Sequence, residues 1–283
     1  MSVTSFLKNL ATGSQSEGSP GKITPPVLGS AQRLSQGIFQ FKFAAPPGAE
    51  FEVQTSSDFK TWLSLDKGVA GREPIEVVDR QVSKFNCRFY RVITGEISSV
   101  NVLGYVALTL QPGYSLIANP LDSEAHTVSA LFQNWPDGTK FCKFNTRMFR
   151  LGENSVRNGQ WTDPSETFAP GEGAIFFNPT TDYKFHCFTG QVMQGKLSIP
   201  LPSGFMICSS MVPQTGRLQE DLGFPITHGD VVHLFDRESQ KYSIHPFGAN
   251  GWEAGQPVIG LAESFWVAKT VAENWTREFL VGM

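Results

Sequence analysis

An internal repeat constrains this chain of 283 residues more than any other feature. Two stretches, GYVALTLQPGYSLIANPL from Gly104 and GKLSIPLPSGFMICSSMV from Gly195, align without a gap at an offset of 91. The same offset pairs Leu110 with Leu201, Gly113 with Gly204, Tyr114 with Phe205, and Leu131 with Leu222. It also pairs Gly138 with Gly229, Phe144 with Phe235, Trp161 with Trp252 and Glu172 with Glu263. One register kept through apolar and glycine positions while the loops diverge is the pattern of a duplicated domain with a retained core. Each copy predicts the same order. A strand (Val106–Leu110; Leu197–Leu201) leads through a turn to a second strand (Tyr114–Ala118; Phe205–Ser209). A short helical stretch (Val128–Phe132; Leu218–Leu222) follows, then a strand pair, the tryptophan and a last hairpin. No amphipathic helix of three turns can be read anywhere, so the class is all-β.

The copies occupy 104–190 and 195–283. Ahead of them, residues 36–98 predict a small β-sandwich. Phe39, Phe41 and Phe43 alternate with Gln40 and Lys42, Pro46-Pro47-Gly48 turns the chain, and Phe51 and Val53 alternate with Glu52 and Gln54. Short strands at roughly ten-residue spacing with turn signals between them argue for a sandwich. Residues 1–35 are rich in Ser, Gly, Pro and Gln and read as a flexible arm, too polar to offset its ordering entropy alone. Within it Ile23, Val27 and Leu28 are the candidate anchors, held extended by Pro25 and Pro26 and expected to add to a sheet edge of this chain or a neighbouring one.

Two resemblances follow from particular residues. VQTSSDFKTW (Val53–Trp62) and RFYRV (Arg88–Val92) make the sandwich similar to immunoglobulin-like or fibronectin-like modules of secreted bacterial proteins. The duplicated region resembles a small β domain found in tandem in bacterial and archaeal surface proteins. Its Gly-aromatic-x-Leu-Ile start is Gly113-Tyr114-Ser115-Leu116-Ile117 here, and its Pro-Gly-x-Gly strand start is Pro170-Gly171-Glu172-Gly173. The second copy keeps Gly204-Phe205-Met206-Ile207 but carries Leu261-Ala262-Glu263-Ser264 at the later motif. The resemblance implies a fold and a surface setting, with no activity to carry over.

Charge bounds the partners. Only 17% of residues are charged and the net charge is −3, without a basic stripe, so phosphate-backbone binding has no electrostatic basis. No run of about 20 apolar residues predicts a membrane helix, and MSVTSFLKNLATG lacks the continuous apolar core of a standard signal peptide. The four cysteines, Cys87, Cys142, Cys187 and Cys208, form no C-x-x-C pair and read as buried thiols, with a Cys142–Cys187 bridge as the alternative.

Candidate chemistry is sparse. His228, Asp230 and His233 in THGDVVH are the densest metal-type cluster, but strand alternation turns His233 away from the other two, so no metal is expected. Asp163, Glu166 and Glu172 read as loop acids, Asn274-Trp275-Thr276 matches a glycosylation sequon, and Trp62, Trp161 and Trp252 read as core. Trp135, in QNWPDG, is the candidate exposed aromatic for a sugar or a partner's pocket. No catalytic motif and no cofactor site is expected. The expectation is a non-catalytic structural or adhesive protein of a surface, filament or particle, with itself or other surface proteins as partners. A carbohydrate-binding array is the alternative.

Overall fold

The computed structural model describes residues 24–34 and 37–281, and the candidate anchor Ile23 lies outside them. The chain is an all-β protein with two compact units. One takes in the chain up to Tyr105 together with Thr189–Gln191, and the other comprises Val106–Phe188 and Val192–Leu280.

In the first unit, β1 (Leu28–Leu34), β2 (Ile38–Phe43), β3 (Glu50–Ser56), β4 (Leu63–Val69), β5 (Ile75–Asp79), β6 (Cys87–Thr94) and β7 (Ile97–Ser98) precede β8 (Leu103–Leu110). They form a three-stranded sheet, β1-β2-β5, and a second sheet that runs β4-β3-β6 to the head of β8. The alternation in IFQFKF aims Phe39, Phe41 and Phe43 at the second sheet. Phe39 stacks on Tyr90 with ring centroids 4.8 Å apart, and Tyr105 closes on Phe39 at 5.6 Å. At one end of this core the Asp79 carboxylate accepts from Arg88 Nη1 (2.6 Å), Tyr90 Oη (2.6 Å) and the Gln81 amide (2.8 Å), so the buried charge is fully bonded.

The sandwich is larger than its sequence suggests. Leu28–Leu34, read as part of a flexible arm, is β1 and pairs antiparallel with β2 of the same chain. Asn101 is the reason. Its Oδ1 accepts from the Leu28 amide and its Nδ2 donates to the Leu28 carbonyl, both at 2.9 Å, and the Val100 amide donates to the Pro26 carbonyl. Leu28 is therefore buried in its own module and Val27 half-buried. The module runs from about residue 24 to Tyr105 instead of 36–98. Trp62, read as core, is half-exposed and lies under the Arg91 guanidinium at 4.2 Å.

The second unit contains β9 (Gly113–Ala118), the single-turn α1 (Val128–Leu131), β10 (Lys140–Asn145), β11 (Arg150–Arg157), β12 (Gln160–Trp161), β13 (Gly173–Asn178) and all but the last three residues of β14 (Lys184–Gln191). It continues with β15 (Gly195–Leu201), β16 (Gly204–Ser209), β17 (Gly216–Arg217), β18 (Val231–Asp236) and β19 (Lys241–Gly248). Then come β20 (Gly251–Trp252), β21 (Val258–Ile259), β22 (Ser264–Lys269) and β23 (Glu273–Phe279). Strands β9, β10, β11, β12 and β13 begin and end 91 residues before β16, β18, β19, β20 and β22, and the sheet orders β12-β11-β10-β13-β9 and β20-β19-β18-β22-β16 correspond. Trp161 pairs with Val156 as Trp252 pairs with Phe247.

Two departures have local causes. Leu218–Leu222, expected as a helical stretch, is a turn. Thr127 caps α1 by accepting from the Ala130 amide, whereas the position 91 residues later is the buried apolar Leu218. The last hairpin spans residues 179–183 between β13 and β14 but only 270–272 between β22 and β23. That two-residue difference ends the offset. Trp275 becomes the third residue of β23, as His186 is of β14, and both are buried.

The two sheets meet through reciprocal contacts. The Ala118 amide donates to the Ala262 carbonyl (2.9 Å) and the Ser209 amide to the Gly171 carbonyl (3.1 Å), the same bond with the copies exchanged. Isolated bridges join Ile117 to Glu263 and Cys208 to Glu172 in the same exchanged fashion. At the centre, a Cβ added to Gly173 would meet Ile207 Cγ2 at 2.4 Å and Ser264 Cβ at 2.7 Å, so the approach requires glycine there.

Candidate functional site

On β18, Val232 and Leu234 face the core of the second copy and His233 faces away; on β22, Phe265 and Val267 face inward and Trp266 outward. Trp266 and His233 stand directly opposite each other across the two strands. Phe205 from β16 and Tyr242 from β19 extend this outward row. The β10–β11 hairpin of the first copy brings Phe144 and Phe149 over it. Together the six side chains line an open concavity of about 460 Å³.

Its geometry is a set of rings meeting edge to face. Phe144 packs on Trp266 at 5.0 Å and 69° and on Phe149 at 5.4 Å and 78°. Phe149 reaches Phe205 at 6.2 Å and 75°, and Phe205 lies 6.2 Å from His233. Trp266 Nε1 donates to Tyr242 Oη (3.3 Å). The surface is open: Phe149, Phe205 and Tyr242 are 65%, 42% and 47% exposed. Burial, helped by the nearby His245, holds the His233 imidazole below its ordinary range. Burial pushes the Tyr242 phenol up.

The scaffold does not require these rings. At the positions 91 residues away stand Cys142 for His233, Leu151 for Tyr242, Ile175 for Trp266 and Gln240 for Phe149, while Tyr114 and Phe235 match Phe205 and Phe144. The backbone is shared, because Phe149 (φ 51°) and Gln240 (φ 55°) both adopt the left-handed conformation at their hairpin tips. The chemistry differs. Gln240 Oε1 accepts from the Tyr114 amide (2.9 Å) and its Nε2 donates to the Tyr114 carbonyl (3.0 Å). One tip is therefore tied down by an amide, whereas the other presents a ring to solvent.

The residues singled out in the sequence lie elsewhere. Trp135 is a correction: it is only 8% exposed and packs edge to face on Phe176 at 4.7 Å, in a core that also holds Phe132, Phe141 and Phe168. Pro136 and Gly138 turn the chain just after it, which gives the tryptophan a loop-like setting in sequence while its ring points inward. Leu28 and Val27 serve their own module, as described above. His228 is exposed, Asp230 is buried against Lys269, and His233 belongs to the concavity, so the three do not converge. Among the described residues no group of three or more His, Cys, Asp and Glu side chains is placed to hold a metal ion. Cys142 and Cys187 are thiols, not a bridge.

The carboxylates have structural partners. Glu172 Oε2 accepts from the Ala169 amide (2.7 Å) and its Oε1 binds Lys143 Nζ (2.6 Å). Glu263 Oε2 accepts from the Gly260 amide (2.7 Å) in the same way. The conserved geometry, with Gly171 (φ 91°) and Ala262 (φ 53°) both left-handed, makes the Pro-Gly-Glu-Gly stretch and its Leu-Ala-Glu-Ser counterpart the same bonded turn. Asp163 accepts from the Ser165 amide and hydroxyl, which hold it below the usual carboxylate range.

The aromatic row escaped sequence reasoning because its members come from six places in the chain. The available signal was the asymmetry at the repeat offset, aromatic or imidazole in one copy and aliphatic, thiol or amide in the other. No family model matches the chain, and no curated protein sequence matches it.

Proposed function

We propose that the chain is a non-catalytic adhesive or structural protein whose β modules hold out one contact surface, in a surface layer, filament or particle outside the cell. The observation that carries this reading is the open aromatic concavity on one of two otherwise corresponding faces. Apolar rings exposed together at a position where the fold tolerates Ile, Leu, Cys and Gln favour a partner over packing. The resemblance of both kinds of module to bacterial surface domains, and the packing of a three-stranded sheet on a larger antiparallel one in the first unit, support the setting.

Sedimentation of the full chain over a range of concentrations, alone and with Phe149→Ser and Trp266→Ala, tests the reading. Association that is lost in both variants is the expected result. A monomer at every concentration refutes self-assembly. A second reading, glycan binding, is favoured by the Tyr242 hydroxyl and the His233 imidazole, which place hydrogen-bonding groups beside ring faces. A glycan array probed with the same variants separates it, since signal that survives both substitutions lies elsewhere.

A further inference from the structure

The core of the second copy ends in a charged cluster that its counterpart lacks. Lys269, the last residue of β22, and Asp230, just before β18, face the same core as Val267 and Val232, and both side chains are fully buried. Lys269 Nζ contacts Asp230 Oδ2 and Glu273 Oε1, donates to the Pro225 carbonyl (3.0 Å), and lies 5.6 Å from the centre of the Phe224 ring. Asp230 Oδ1 accepts from both the amide (2.7 Å) and the hydroxyl (2.8 Å) of Thr270, and Oδ2 from the Thr227 amide (2.8 Å). At the positions 91 residues earlier stand Asn178, the last residue of β13, and Thr139, just before β10, both uncharged. The fold therefore does not demand an ammonium beside two carboxylates here, and a desolvated ion pair is seldom worth more than the apolar packing it displaces.

We propose that Lys269 and Asp230 condense into an intramolecular amide, a covalent staple between β22 and the start of β18. The reacting form is the neutral pair, amine and carboxylic acid, reached when a proton passes from Nζ to the carboxylate within the ion pair. The Nζ–Cγ bond forms, the Cγ–Oδ2 bond breaks, and the oxygen leaves as water. Glu273, in contact with Nζ, takes the proton from nitrogen and returns it to the departing oxygen. The two Thr270 donors on Oδ1 hold the negative charge of the tetrahedral intermediate, as an oxyanion site does. No oxidant or external reactant is consumed. While the bond is open, burial pushes the Asp230 carboxyl up, but the bonds from Lys269, Thr270 and Thr227 outweigh it and keep the group below its ordinary range.

The intact mass of the purified full chain tests this directly. The expected mass is one water below that of the sequence, with fragmentation joining the peptide of Asp230 to that of Lys269. Glu273→Gln should run at the full sequence mass. A parent chain of full mass overturns the proposal, as does a lost water that maps elsewhere, such as to a succinimide at Asp137-Gly138. A Glu273→Gln chain as fully condensed as the parent overturns the role of Glu273. Should that variant fail to fold, the parent mass still decides.

Discussion

Phe149 and Trp135 exchange the roles their sequence settings suggest. Phe149 follows Arg147 and Met148 in an exposed hairpin, is 65% exposed and meets Phe144 and Phe205 edge to face, so Phe149→Ser should change unfolding free energy by less than about 1 kcal/mol. Trp135 is enclosed, and Trp135→Ala should cost about 3–5 kcal/mol. Denaturant titration of the two variants checks the contrast, and equal losses would contradict the placement of both side chains. A second residue-scale prediction concerns Glu263. Burial raises its carboxyl above the usual value, with the Gly260 amide and Arg237 opposing only in part. A group shifted upward lends stability that is present below its unfolded pKa and lost as pH rises through the folded one. Glu263→Gln keeps an acceptor for the Gly260 amide, so it should match the parent near pH 4 and exceed it at pH 7, as thermal melts at the two pH values would report. The alternating phenylalanines of β2 were legible from sequence because period two needs no partner to be seen. The concavity was not, since burial of Trp135 and exposure of Phe149 are decided by contacts between distant segments.

At the scale of elements, strands and turns were readable wherever hydrophobic alternation ran between glycines, and β9 and β16 fall within a residue of their expected bounds. The misreading at Leu218–Leu222 came from carrying α1 across the offset without its cap, and the last hairpin slipped because two residues are missing from its loop. The turn at Gly171 gives an element-scale test. Ala262 shows that a side chain is tolerated in the left-handed conformation at the equivalent place, but a Cβ on Gly171 would also meet Ile199 Cδ1 at 2.7 Å. Gly171→Ala should therefore lose at least about 1–2 kcal/mol from backbone strain alone. Ala262→Gly should stay within about 1 kcal/mol of the parent. Calorimetric melting of both variants measures the difference; parity between them would mean that Ile199 yields freely.

For the whole molecule, the order of the chain was legible from composition and repeat, whereas its first boundary was not, because one asparagine 73 residues downstream draws Leu28 into the sandwich. Truncation makes that boundary measurable. Removing residues 1–23 should leave the melting temperature of the first unit unchanged within a few degrees. Removing residues 1–34 deletes β1, strips the cover from β2 and should lower it steeply or leave the unit unfolded. A chain without β1 that melts like the parent would show that the strand contributes nothing.

The second copy begins and ends at one place. Gly195 pairs with Phe279 across β15 and β23, and the two strands run side by side for seven consecutive pairs. A block whose incoming and outgoing backbone are neighbours can be spliced out, doubled or set into a loop of an unrelated host without rerouting the chain around it. For an engineer it fixes where residues 195–279 would be cut, and the face that closes on the first copy at Gly173 would then need a new cover.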